Sequence, residues 1–172
     1  FGLIEKPFGK EQLFTKHTIE DSNEEDFKIL VVEDYPTNQQ IALKHLNTAG
    51  YSVFLAENGV EAVSLYKSKQ FDLILMDIQM PEMDGYAATR EIREIEKSIS
   101  KELSNTVRVP IIAMTAHAMK GYKEKCLQAN MDDYLTKPLK RKDLIAIVEK
   151  WLGLEVDLAV KTDIELETLI GN

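Results

Sequence analysis

The sequence predicts an α/β protein: a doubly wound, five-stranded parallel sheet flanked by five helices. Three observations carry that prediction. Short apolar runs alternate along the chain with longer stretches of helical periodicity. The runs are apolar at nearly every position, the mark of strands buried on both faces. Charged or hydroxyl residues stand at the ends of most runs, where an open α/β sheet carries its function.

The elements follow in order. Lys28-Ile-Leu-Val-Val-Glu33 is the first run. Residues 36–49 then read as a helix, with Pro36 near its start and Ala49-Gly50 as its cap. Ala42, Leu46 and Ala49 share one face of it. Ser52-Val-Phe-Leu-Ala56 is the second run, and Asn58 caps a helix over residues 58–69. Phe71-Asp-Leu-Ile-Leu-Met76 is the third run. Ala88, Ile92, Ile95 and Ile99 recur at helical spacing within residues 84–100. The segment from Lys97 to Val109 is long for a link, and reads as a helix extension plus a loop. Val109-Pro-Ile-Ile-Ala-Met114 is the fourth run. Ala118, Tyr122 and Cys126 mark a helix over residues 116–129. Asp133-Tyr-Leu-Thr136 is the fifth and weakest run. Leu144, Ile147, Val148 and Trp151 stripe a last helix over residues 140–151.

Composition bounds the function. The chain has 172 residues, 44% of them hydrophobic and 29% charged, with a formal net charge of −8. That is one compact domain with short extra segments. The charge is uneven: residues 1–26 and 152–172 each carry −4, and residues 27–151 hold 17 acids and 17 bases. An acidic chain without a basic block argues against nucleic acid or an anionic membrane as partner. No apolar run approaches the ~18 residues of a membrane span. The single cysteine, Cys126, rules out an internal disulfide and a Cys-rich zinc site. With no start methionine and no signal-peptide pattern, the expectation is a piece of a longer chain in a reducing compartment. That places it in the cytoplasm, on a parent that could still be membrane-anchored.

The strand ends hold the chemistry. Glu33 and Asp34 follow the first run, Asp77 the third, Thr115 the fourth, and Lys137-Pro138 the fifth. Any one of these could be a turn residue or a helix cap. Together they place three carboxylates, a hydroxyl and an ammonium on one edge of the sheet. Clustered carboxylates repel unless a cation joins them, and Mg²⁺ suits a few carboxylates plus waters. A cation, a lysine and a hydroxyl donor around a carboxylate are the groups that stabilise a transferring phosphoryl group. The carboxylate itself can accept it.

Residues 27–151 resemble the receiver domain of two-component response regulators, which has the flavodoxin-like fold. Asp77-Ile-Gln-Met-Pro-Glu-Met-Asp-Gly85 is similar to that family's phosphoacceptor loop nearly residue for residue. Met114-Thr-Ala-His-Ala-Met-Lys-Gly121 and the stretch from Cys126 to Pro138 are similar to receivers attached to hybrid sensor histidine kinases. The resemblance implies that Asp77 takes a phosphoryl group from a phosphohistidine, donated by a histidine kinase or a histidine-phosphotransfer domain. It implies Mg²⁺ (or Mn²⁺) held by Asp34, Asp77 and the backbone carbonyl of Gln79, with Glu33 acting mostly through water. Thr115 would bond the phosphoryl oxygens and Lys137 would pair with them. Tyr134 matches the aromatic switch position, and the Lys137–Pro138 bond is expected to be cis. Asn130 departs from a common glycine, a change that a left-handed cap tolerates. A dimer through the face of the fourth helix, fifth strand and fifth helix stays open.

The remaining features are weaker. His17, His45 and His117 lack the context of ligands or phosphoacceptors, and Cys126 reads as a packed thiol. No glycine-rich nucleotide loop is present, so the module would catalyse its own phosphorylation and dephosphorylation without a kinase core. Leu3-Ile-Glu-Lys-Pro-Phe-Gly-Lys-Glu-Gln-Leu13 aligns with Tyr134 through Leu144. It is either the tail of a preceding receiver-like domain or an accidental Lys-Pro in a linker spanning residues 1–26. Thr162-Asp-Ile-Glu165 is a capping box. It opens either a downstream phosphotransfer domain or a trailing helix in an extension over 152–172. Two rival readings stand beside the phosphoacceptor. One is a pseudo-receiver that binds partners unphosphorylated. The other is a small hydrolase using Asp77 as nucleophile, for which the chain has no spare length.

Overall fold

Strands that are apolar at every position need cover on both faces, and the architecture supplies it. The computed structural model describes residues 26–117 and 119–154. The Leu3–Leu13 match, His17, Ala118 and the Thr162–Glu165 capping box lie outside the described residues. The order is β1 (Lys28–Val32), α1 (Pro36–Thr48), β2 (Ser52–Ala56), α2 (Gly59–Ser68), β3 (Leu73–Asp77), α3 (Gly85–Leu103), β4 (Ile111–Thr115), α4 (Tyr122–Gln128), β5 (Asp133–Thr136) and α5 (Arg141–Leu152). All the strands are parallel, in the spatial order β2-β1-β3-β4-β5.

Alternate strand residues feed two cores. Leu30, Val32, Ile74, Met76, Ile111 and Ala113 face α2, α3 and α4, where they meet Ala62, Ala88, Ile92 and Cys126. Ile29, Val31, Leu73, Leu75, Ile112 and Met114 face α1 and α5, where they meet Ala42, Leu46, Leu144 and Val148. The chain leaves β1 on one side to reach β2 and later returns on the other side as β3. The crevice of such a sheet therefore opens between the carboxyl ends of β1 and β3. No described helix is long and apolar enough to cross a membrane.

Local signals act as expected at several ends. Pro36 opens α1, Asn58 accepts from the Glu61 N–H at 2.8 Å, and Asp84 accepts from the Ala87 N–H at 2.8 Å. Asn130 has φ +63°, and the N–H groups of Asn130 and Met131 close α4 onto Leu127 O and Cys126 O. The same pair of bonds closes α1 through Gly50 and Tyr51.

Three expectations are corrected. The fourth helix starts at Tyr122, not 116. Thr115 Oγ1 is engaged with the main chain of His117, and Gly121 sits at φ +114°, so the chain is still turning there. The third and fourth strands each begin two residues late and take in Asp77 and Thr115 as their last residues. Phe71 packs edge-on against Phe54, and Pro110 has no N–H to give to the ladder. The third helix runs on to Leu103, in keeping with a helix extension plus a loop over Lys97–Val109, but its buried stripe is not purely apolar. Ile95 and Ile99 are only half-buried, while Arg93 and Glu96 are almost fully buried.

Arg93 and Glu96 belong to an ion network at the amino edge of the sheet. Arg93 Nη1 lies 2.8 Å from Glu96 Oε2, and Nη2 lies 2.8 Å from Asp132 Oδ2. Arg108 reaches Asp132 Oδ1 at 2.7 Å. The carboxylates also accept from the Val109 and Ile111 N–H groups, and Arg93 donates to Asn130 O and Val109 O. Two cations balance two anions, and the network ties α3 to the starts of β4 and β5. At the opposite edge, glycines let the β3–α3 loop close. A Cβ at Gly85 would collide with the main-chain oxygen of Asp77, and one at Gly59 would lie 2.7 Å from Met83 O.

Two outcomes follow. Arg93→Met leaves the buried Glu96 and the half-buried Asp132 short of a partner and should cost about 3–5 kcal/mol in urea denaturation; a cost under about 1 kcal/mol would show the network to be dispensable. Gly85→Ala should lower stability by about 1–3 kcal/mol through overpacking, and hydrogen exchange should localise the loosening to residues 77–79.

Candidate functional site

Each acid reaches the site because its strand ends there. The β1 ladder closes with the Glu33 N–H donating to Ala56 O at 3.0 Å, and the chain then turns into α1. Within that turn the Tyr35 N–H donates to Glu33 Oε1 at 3.1 Å, and Gln39 Nε2 donates to Glu33 O at 2.6 Å. Asp77 is the last residue of β3, in register with Met114, and its Oδ1 accepts from the Gln79 N–H at 3.2 Å. Lys137 follows β5, where its N–H donates to Thr115 O at 2.8 Å. The Lys137–Pro138 peptide bond is cis.

Carboxylate oxygens of Glu33, Asp34 and Asp77 all lie within 4.8 Å of one another. Glu33 and Asp77 are buried, at 1% and 4% exposure, while Asp34 is exposed. Lys137 Nζ bridges the buried pair, 2.6 Å from Glu33 Oε2 and 2.8 Å from Asp77 Oδ2. The first contact is an ion pair lacking hydrogen-bond geometry, so the buried Glu33 Oε2 has no hydrogen-bond donor.

The charges do not balance. Burial pushes the Asp77 carboxyl up to about 6; the Lys137 hydrogen bond opposes this, and repulsion from Glu33 adds to it. Burial pulls the Lys137 ammonium down, but its close contacts with the Asp77 and Glu33 carboxylates outweigh that and hold it above the ordinary lysine value. One ammonium thus serves a cluster of three carboxylates. A hard divalent cation fits this set: the donors are all oxygen, one carboxylate oxygen lacks a donor, and the exposed side at Asp34 leaves room for waters.

The other predicted residues differ widely in burial. Thr115 is 3% exposed at the end of β4, and its hydroxyl accepts from the His117 N–H at 3.1 Å and donates to His117 O at 3.3 Å. It is thus turned to its own loop. Gln79 is exposed just after β3. Tyr134, on β5, is 36% exposed. His45 is half-buried on α1 and His117 is exposed. Cys126 is buried, and burial raises its thiol pKa, as suits packing. Sequence reasoning passed over Gln39, a polar residue on the stripe of Ala42 and Leu46. Its spacing was the available signal: an amide on an apolar face needs a partner.

Comparison with known proteins agrees with this geometry. Residues 29–149 match the family described as the response regulator receiver domain. The chain is 43% identical over 127 residues to the sensor protein GacS of Pseudomonas syringae pv. syringae, covering 74% of this chain and 14% of that protein. It is 48% identical over 133 residues to hybrid signal transduction histidine kinase B of Dictyostelium discoideum, covering 73% of this chain and 7% of that one. The chain therefore spans a small part of these relatives. Among solved structures it is similar to the receiver domain of a Pseudomonas aeruginosa sensor histidine kinase, with a magnesium ion coordinated in the active site cleft. There the identity is 46%, the TM-score 0.65, and the coverage 75% of this chain and 99% of that one. It is also similar, at 34% identity and TM-score 0.69, to a complex from Saccharomyces cerevisiae. That complex joins the histidine phosphotransfer signaling protein Ypd1 to the receiver domain of its response regulator Ssk1, with coverage of 77% of this chain and 94% of that one. The sheet order, the acids meeting between β1 and β3, and the match over residues 29–149 lead to one conclusion: this chain belongs to the response regulator receiver domain family.

Proposed function

We propose that the chain is a phosphoacceptor module of a phosphorelay, in which Asp77 takes a phosphoryl group from a phosphohistidine. The observation that carries this is the Glu33–Asp34–Asp77 cluster bridged, among the described residues, by the ammonium of Lys137 alone. We take residues 27–151 as the module and the acidic segments on either side as its connections. The donor is a histidine kinase or a histidine-phosphotransfer protein. The magnesium-bound receiver and the Ypd1–Ssk1 complex among its relatives support both the cation and the partner.

An oxygen of the Asp77 carboxylate attacks phosphorus in line with the imidazole nitrogen. The phosphorus–nitrogen bond breaks as the phosphorus–oxygen bond forms, and the electron pair leaves with the imidazole. Bound Mg²⁺, held by Asp34, Asp77 and the Gln79 carbonyl with Glu33 through water, would neutralise charge on the phosphoryl oxygens. Lys137 already touches Asp77 at 2.8 Å, so a small shift carries its ammonium to a phosphoryl oxygen. Thr115 must release His117 O to donate to another. Breaking that bond frees the loop ahead of α4. Tyr134, partly exposed, then turns inward, and the surface of α4, β5 and α5 changes for a partner to read.

Two variants test this reading. With Mg²⁺ and acetyl phosphate, Asp77→Asn should gain no phosphoryl group by intact mass; labelling at the wild-type rate would remove Asp77 from the role. Lys137→Met should keep Mg²⁺ binding but lose about 10²–10³-fold in phosphorylation rate, the usual loss for one charge-stabilising donor. Beryllofluoride binding to the wild-type chain in the presence of Mg²⁺ separates a working acceptor from a pseudo-receiver.

A further inference from the structure

We propose that Gln39 is a positioning residue for the cation: its side-chain amide holds the Glu33–Asp34 peptide so that Asp34 faces Asp77. The inference rests on the reading of the acid cluster as a Mg²⁺ site.

Gln39 lies in the second turn of α1 and is 8% exposed. Its Nε2 stands 2.6 Å from Glu33 O. The carbonyl can only accept, so the amide must present its NH₂ there and its orientation is determined. Three of the four polar groups of Glu33 have hydrogen-bond partners, and the fourth, Oε2, has only its ion pair with Lys137. Its N–H donates to Ala56 O, its carbonyl accepts from Gln39, Oε1 accepts from the Tyr35 N–H, and Oε2 pairs with Lys137.

Asp34 differs. Among the described residues no hydrogen bond or ion pair restrains its carboxylate, which is nonetheless within 4.8 Å of the other two acids. Its place is therefore set through the two peptide units that flank it. The downstream peptide is fixed by Tyr35 N–H on Glu33 Oε1, and the upstream one by Gln39 on Glu33 O. The Tyr35 bond belongs to the acid cluster and shifts when Glu33 does. Gln39 is anchored independently, on a helix whose Ala42 and Leu46 are fully buried. Among the described residues it is the only side chain from outside the acid cluster that bonds either peptide flanking Asp34. Without that donor the Glu33–Asp34 peptide can rotate, and a ligand held only by its backbone moves with it. Groups that orient a metal ligand from behind typically matter roughly 10–100-fold in metal affinity.

The test is Gln39→Met, which keeps length and removes the donor. Calorimetric titration with Mg²⁺ alone should show a dissociation constant raised about tenfold or more. With acetyl phosphate as donor, the Mg²⁺ concentration for half-maximal phosphorylation should rise by the same factor. The rate at saturating Mg²⁺ should stay within about twofold of wild type, a split that loss of folded protein would not produce. A folded variant with wild-type Mg²⁺ affinity overturns the inference while leaving the cation site intact. A wild-type chain that binds no Mg²⁺ overturns both. Should the variant misfold, the wild-type chain decides: the side-chain amide resonance of Gln39 should shift during a Mg²⁺ titration with the same dissociation constant as the Asp34 and Asp77 backbone signals. A Gln39 signal that does not move overturns the proposal.

Discussion

Two buried carboxylates and one ammonium govern this molecule. Glu33 and Asp77 are almost entirely removed from water, and Lys137 is the cation that meets both. Desolvated like charges at such short range are costly, and breaking up the pair would be cheaper than keeping it. What prevents separation is the sheet. β1 and β3 are neighbours with fixed register, and each delivers its acid at the same edge. Lys137 arrives from β5, two strands beyond β3 in the sheet. The three carboxylates at this edge leave an excess of negative charge that a cation would offset.

The opposite edge shows how the same charges behave when function asks nothing of them. Arg93, Arg108, Glu96 and Asp132 form a balanced network in which the carboxylates and guanidinium groups find several partners. That network binds α3 to the starts of β4 and β5, and Arg93 and Arg108 both hold the Asn130 carbonyl that follows α4. α4 is thus firmly tied at its carboxyl end. Its amino end begins at Gly121 with no side-chain cap, after a loop secured to Thr115 by two modest hydrogen bonds. The two ends of α4 are therefore held unequally.

Much of this was legible in the residues. β1, β3 and β4 show as nearly unbroken apolar runs because a parallel sheet buries both faces of its inner strands. Pro36, Asn58 and Ala49-Gly50 act locally, through a fixed φ, a side-chain acceptor or a left-handed turn, and so they can be read without knowing the fold. The acids at the strand ends were equally visible, since topology alone brings all carboxyl ends to one edge. Thr115 and Gly121 were the places where periodicity misled. Ala118, Tyr122 and Cys126 have helical spacing, yet the hydroxyl of Thr115 and the backbone of Gly121 keep the preceding residues out of the helix.

The sequence by itself determined the class of the fold and which residues stand at the carboxyl edge of the sheet, because these depend on local preference and on strand order. Only the tertiary structure decided which groups share charge. Lys137 and Glu33 are more than a hundred residues apart along the chain, and Arg93 and Asp132 meet across 39 positions. It alone showed Gln39 clamping a main-chain carbonyl, Gly85 pressed against Asp77, and Thr115 turned to its own loop. Such contacts are set by packing at distances of a few ångströms, where one side chain's position depends on all its neighbours at once, and no spacing along the chain encodes that.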